Sequence, residues 1–132
     1  MTREAIFKKL RLDSKIKMLI INAPMEYLQL LEGVTFDSIP QKKSSGAYDF
    51  VQVFAYTKEE LRGILESFPH AGKFDCLFWV CYPKGTGGIR SDIKRDTVWN
   101  AVEKIGLRCV TQVAIDETWS ALRARPFEMV GK

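Results

Sequence analysis

The stretch Phe74-Asp75-Cys76-Leu77-Phe78-Trp79-Val80-Cys81-Tyr82 decides the fold. Its apolar residues do not alternate with polar ones, as they would on a strand with one wet face. A nearly continuous apolar run bounded by turn residues is the pattern of a strand at the centre of a parallel sheet, covered on both faces. Upstream, Thr57-Lys58-Glu59-Glu60 has the form of a capping box, with the Thr57 hydroxyl and the Glu60 carboxylate each able to satisfy an orphan amide. The helix it opens carries Leu61, Ile64, Leu65 and Phe68 in one apolar stripe and stops at Pro69. Before it, Tyr48 to Ala55 is aromatic and β-branched, which is strand material.

Working further toward the N-terminus, Pro40 to Tyr48 is polar at first, and residues 40–47 read as an exposed, flexible loop. Val34 to Ile39 is a candidate short strand. Pro24 to Leu31 reads as a helix with proline in its first turn, stopped by Gly33. Ile16 to Ile21 is a buried strand, and residues 1–12 form a short amphipathic helix. Toward the C-terminus, Pro83 to Arg90 is a glycine-rich loop, and Ser91 or Asp92 is the expected N-cap of the next helix. That helix places Val98, Val102 and Ile105 on one face, beside Trp99, and ends at Gly106. Leu107 to Ile115 and Trp119 to Arg125 flank Asp116-Glu117-Thr118, which predicts an antiparallel hairpin. The sum is an α/β fold with three Rossmann-like layers. A mainly parallel sheet carries helices on both faces, right-handed crossovers and a C-terminal antiparallel hairpin.

Composition sets bounds on function. The 132 residues fit one domain spanning 1–132. Apolar residues at 46% and charged residues at 27% are those of an ordinary core with a solvated surface. No apolar run is long enough to cross a bilayer, and the N-terminus lacks a secretory h-region, so a cytoplasmic location is expected. Cys76, Cys81 and Cys109 have no C-x-x-C spacing and lie in apolar stretches, where thiols act as small hydrophobes. With His70 as the single histidine, no metal site is expected. The net charge of +4 is carried by short basic pairs such as Lys8-Lys9, Lys42-Lys43 and Lys94-Arg95. Dispersal of this kind argues against a nucleic-acid surface, although the pI of about 9.0 keeps that reading as a third alternative.

From Tyr48 onward the order of strands and helices, with its closing hairpin, resembles a Rossmann-like methyltransferase. In such enzymes a glycine-rich turn after the first strand lets the cofactor approach the backbone. Here that turn is Asn22-Ala23-Pro24-Met25, without G-x-G, so close approach is sterically poor and no cofactor is expected. A second resemblance covers almost the whole chain. Asn22-Ala23-Pro24, Tyr48-Asp49-Phe50, the Trp79 to Lys84 strand end, Ile89 to Asp96 and Ile115 to Arg123 are similar to a bacterial family catalogued as domain of unknown function 3052. That resemblance implies no activity.

Ligands of open α/β sheets bind outside the carboxyl ends of the parallel strands. Three such ends are Asn22, Tyr56-Thr57, and the Pro83 to Gly88 turn. The last offers Lys84, the Thr86 hydroxyl, the amides of Gly87 and Gly88, and Arg90, a set suited to a phosphate, sulfate or carboxylate. It is not a Walker A loop, because Lys84 precedes the glycines. The plainer reading is a solvated turn whose glycines supply positive φ. Asp92 and Asp96 read as a helix cap and an ion-pair partner, Trp119 as core, and Ser120 lacks the base and acid of a triad. The expected function is therefore a non-enzymatic domain that binds an anionic small molecule or a protein partner. The first alternative is an enzyme acting on a phosphorylated or nucleotide-like substrate, with Lys84 and Arg90 as electrostatic stabilisers.

Overall fold

A computed structural model describes residues 2–13, 16–41, 46–68 and 70–132. Its helices are α1 (Arg3–Leu10), α2 (Met25–Leu30), α3 (Lys58–Ser67) and α4 (Arg95–Glu103). Its strands are β1 (Met18–Ile21), β2 (Tyr48–Phe54), β3 (Gly72–Pro83), β4 (Leu107–Ala114) and β5 (Trp119–Pro126). The five strands form one sheet in the order β1-β2-β3-β5-β4. The pairs β1–β2 and β2–β3 are parallel, while β3–β5 and β5–β4 are antiparallel. The mainly parallel sheet with a closing hairpin is therefore present as expected.

β3 is the hinge of this arrangement. From Phe78 to Pro83 each of its residues is buried. Phe78, Val80 and Tyr82 pack with Leu61, Leu65, Val98 and Val102 of α3 and α4 on one face. On the other face, Trp79 and Cys81 pack with Ile6 and Leu10 of α1 and Tyr27 of α2. Two polar groups of this second layer are paired. Trp79 Nε1 donates to the Leu10 carbonyl at 3.0 Å, and the Tyr27 hydroxyl donates to Gln52 Oε1 at 2.9 Å. Burial pushes the Cys81 thiol up to about 12 and those of Cys76 and Cys109 up to about 11, which favours the protonated thiol at all three.

Three local expectations are corrected. Val34 to Ile39 forms no strand; its segment makes a single parallel bridge, Leu19 to Asp37, at the free edge of β1. Ser91 and Asp92 do not open α4, which starts at Arg95, with the Lys94 amide donating to Thr97 Oγ1 at 3.1 Å. Asp92 instead accepts from the Lys58 amide at 2.7 Å, so it caps α3, and Ser91 Oγ accepts from its near neighbour Ile93. The sequence reading that takes Arg123 and Arg125 by default as residues of a paired or solvated edge strand gives way to an interior strand, since β4 is the edge. Of the expected 40–47 loop, positions 42–45 lie outside the described residues.

At the amino end of the sheet β3 bulges between its pairings to Tyr48 and Phe50, and Asp75 takes φ 58° there. Arg125 grips Asp75 with Nε and Nη2 at 2.9 and 2.8 Å, while Lys73 reaches Asp49 at 2.7 Å. The Arg125 fork holds the Asp75 carboxyl below its usual range. The Lys73 bond, then the Lys17 amide, does the same for Asp49. A depressed folded value means stability that is present above the ordinary carboxylate range and lost as pH falls through it. Thermal midpoints should therefore fall more steeply between about pH 5 and pH 3 in the wild type than in an Asp49→Asn/Asp75→Asn double variant.

Candidate functional site

The carboxyl ends of β1, β2 and β3 form one edge. Asn22, the residue after β1, adopts a left-handed conformation with φ 62°, which asparagine tolerates better than most residues. Its Nδ2 donates to the Phe54 carbonyl at 2.9 Å and ties the end of β1 to the end of β2. Pro24 then leads into the short helix α2. After β2, the Thr57 hydroxyl accepts from the Glu60 amide at 3.1 Å. The Glu60 carboxylate reaches back one residue further than the usual box and takes the Tyr56 amide at 2.7 Å. The Tyr56 ring meets Trp119 edge-on at 5.2 Å, and Trp119 in turn meets Phe54. Partial burial, then the charges of Glu26 and Glu60, raises the Tyr56 phenol above its ordinary value. This end of the edge is thus negative and aromatic.

The β3 end is positive. A hollow of about 610 Å³ opens there, lined by Lys84, Gly85, Gly88, Arg90, Lys94 and Arg95 among others. Lys94 and Arg95 join it because α4 starts late, a contribution that an N-cap at Ser91 or Asp92 conceals. Asn22, Thr86 and Gly87 are not in its lining. Lys84 is largely committed elsewhere: its ammonium donates to the Asp116 carbonyl at 2.6 Å, and its amide donates to Thr118 at 2.7 Å. Thr86 is exposed, Gly88 takes φ 84°, and Arg90 is exposed at the rim. Gly87 has a packing reason of its own. A Cβ built on it would lie 2.9 Å from Thr118 Cα and 3.2 Å from two carbonyl oxygens. The turn from Lys84 to Gly88 is therefore bolted to the β4–β5 turn, and Ile89 beyond it packs against the layer containing Trp119.

Ser120 is buried and hydrogen-bonded by Gln112 at 2.9 Å, in keeping with a structural role. His70 is exposed. Among the described residues no group of His, Cys, Asp and Glu could hold a metal ion, and no helix is long and apolar enough to cross a membrane.

No family model matches the chain, which leaves the resemblance to domain of unknown function 3052 unsupported, and no curated protein matches it either. Solved structures do match. Magnesium protoporphyrin IX methyltransferase from Synechocystis PCC 6803, with bound SAH, superposes with a TM-score of 0.61 at 9% identity. The match covers 94% of this chain and 82% of that one. A SAM-dependent methyltransferase from Aquifex aeolicus gives a TM-score of 0.55 at 12% identity, covering 92% and 88%. The [4+2]-cyclase SpnF gives 0.55 at 10% identity, covering 98% and 80%.

The fold is that of the Rossmann-like methyltransferases. At such identities the likeness speaks for the fold, and the cyclase illustrates that one fold carries more than one chemistry. The expectation of a non-enzymatic anion- or protein-binding domain is nevertheless contradicted, because the three matching structures named above are of enzymes, two of them methyltransferases. An enzyme of phosphorylated or nucleotide-like substrates also names a different substrate class from theirs.

The turn geometry makes a direct prediction. Gly87→Ala, which drives a Cβ into backbone, should lower stability by about 1–3 kcal/mol, whereas Gly85→Ala, with open space around it, should be close to neutral. Denaturant unfolding of the two variants checks this.

Proposed function

We propose that this chain is a methyltransferase-type enzyme. In this reading it binds S-adenosylmethionine at the carboxyl ends of β1 and β2, and an anion-bearing methyl acceptor in the basic hollow at the end of β3. The observation that carries the reading is the division of charge along one edge, with Glu26 and Glu60 beside Tyr56 at one end and Arg90, Lys94 and Arg95 at the other. A sulfonium nucleoside with ribose hydroxyls suits the first end, where carboxylates accept hydrogen bonds and attract positive charge. A carboxylate-bearing acceptor suits the second.

The residues present fit this ligand in one respect that sequence obscures. The left-handed turn after β1 is made by Asn22 instead of glycine. The side chains of Ala23 and Pro24 still hold a ligand further from the backbone than glycines would, so binding depends on side chains. When bound, the cofactor supplies an activated methyl group. Asn22 fixes the spacing of the two strand ends, Tyr56 and Trp119 provide an apolar wall, and Glu26 and Glu60 orient hydroxyl and cationic groups. Arg90, Lys94 and Arg95 hold the acceptor's anionic group near that edge.

Calorimetric titration with S-adenosylmethionine and S-adenosylhomocysteine tests this. Both should bind with saturation below about 1 mM, and at 100 times Kd the ligand should stabilise the native state by about 2.7 kcal/mol. Asn22→Ala and Tyr56→Ala should each weaken binding at least about tenfold, a loss of 1.4 kcal/mol. Arg90→Gln should leave it unchanged. No heat or thermal shift with either nucleoside, or binding indifferent to Asn22 and Tyr56, would rule the reading out.

A further inference from the structure

Gln52 stands in the middle of β2 with none of its surface exposed, one of two buried polar residues among those described. It is paired in register with Ile20 of β1 and Trp79 of β3, on the face covered by α1 and α2. A leucine there would cost no desolvation, so a carboxamide is tolerated only because its hydrogen bonds are made. Its Oε1 accepts from the Tyr27 hydroxyl at 2.9 Å, and its Nε2 donates to the Cys81 sulfur at 3.4 Å. Tyr27 and Cys81 are themselves 3% and 0% exposed. Desolvation raises the Tyr27 phenol and the Cys81 thiol, which keeps both as neutral partners.

The bond reaches α2 through the one residue of that helix which is buried. α2 has six residues, no side-chain cap at Pro24 and no basic residue in its last turn. A helix so short is marginal alone and takes its position from tertiary contacts. Its fully buried contacts come from Tyr27 and from Leu31 just beyond the helix. The Tyr27 ring meets Phe54 with centroids 4.9 Å apart, so a line of rings runs Tyr27, Phe54, Trp119, Tyr56. Ring contacts tolerate sliding, whereas a hydrogen bond demands a distance and a direction. Glu26 directly precedes Tyr27, about 100° away around the helix, and its charge acts on the Tyr56 phenol.

We propose that Gln52 and Tyr27 are positioning residues for the nucleoside site. Their hydrogen bond fixes the rotation of α2, and with it the places of Glu26 and of the Asn22 to Pro24 turn relative to Tyr56. This role rests on the nucleoside reading above and adds a control of that same site from within the core. Neither residue touches the ligand: Gln52 is wholly buried, and the Tyr27 hydroxyl is engaged by Gln52.

Tyr27→Phe, Gln52→Leu and the double variant are compared for stability and for calorimetric binding of S-adenosylhomocysteine. Each single change leaves a buried partner unsatisfied, whereas the double change replaces both by apolar groups and is close to neutral. The single variants should therefore lose about 4 °C or more in thermal midpoint, and the double variant should return to within about 2 °C of the wild type. Affinity should follow the bond and not the stability, falling at least about tenfold in all three. A ligand-free readout is amide exchange at Tyr27 and Leu28, whose N–H groups both donate to the Pro24 carbonyl at 3.0 Å. In the double variant these should exchange at least about tenfold faster, with Val51 and Val53 of β2 unchanged.

A double variant that binds the nucleoside as the wild type does would overturn the proposal and leave the nucleoside reading standing. So would affinities that rise and fall with the thermal midpoint, or α2 amides that exchange at the wild-type rate. A wild type that takes up no S-adenosylhomocysteine would overturn the nucleoside reading and the positioning role with it.

Discussion

Burial of β3 on both faces is the constraint on which the rest of the structure depends. A strand with two dry faces needs a layer of helices on each. Here α3 and α4 cover one face while α1 and α2 cover the other. The same strand must pair at both edges. It does so with parallel β2 on one side and antiparallel β5 on the other, so the change of strand direction falls at β3. Pairing at both edges gives β3 its ladder hydrogen bonds, and the Trp79 indole in its α1-side layer finds a partner in the Leu10 carbonyl. Carboxyl ends of three parallel strands are then aligned along one edge, which is what makes a ligand site possible there.

Much of this was legible because it rests on local pattern. Phe74 to Tyr82 reads as a strand by continuity, although only Phe78 onward is buried and Phe74 is exposed; α3 is legible by its stripe and cap, and the closing hairpin by the brevity of Asp116-Glu117-Thr118. What escaped was decided by contacts between distant residues. Ser91 and Asp92 have the chemistry of N-caps, but the Asp92 carboxylate serves the first amide of α3, so α4 begins at Arg95. Val34 to Ile39 has strand composition, yet its segment reaches β1 through one bridge at Asp37. Neither outcome is written in the residues on either side.

The candidate site was legible in the same partial way. Asn22 and the Lys84 to Arg90 segment do stand at strand ends, but the sequence offers only a solvated turn or an anion site as reasons for the glycines. Gly87 is instead required by Thr118, and Lys84 is anchored on Asp116. The hollow gains Lys94 and Arg95 from the late helix start, and the acidic surroundings of Tyr56 arise from two different helices, α2 and α3. The absence of glycines after β1 argued against a cofactor, yet Asn22 makes the left-handed turn itself.

The proposed nucleoside site at the ends of β1 and β2 lies in a methyltransferase-type fold that lacks the glycine turn. Backbone amide correlation spectra recorded during titration with S-adenosylhomocysteine test it residue by residue. Saturable shifts are expected at Asn22, Ala23, Tyr56 and Thr57 and at the Trp119 indole, with Arg123 and Arg125 unmoved. No saturable shift up to about 1 mM ligand, or shifts confined to Lys84 through Arg95, would contradict it.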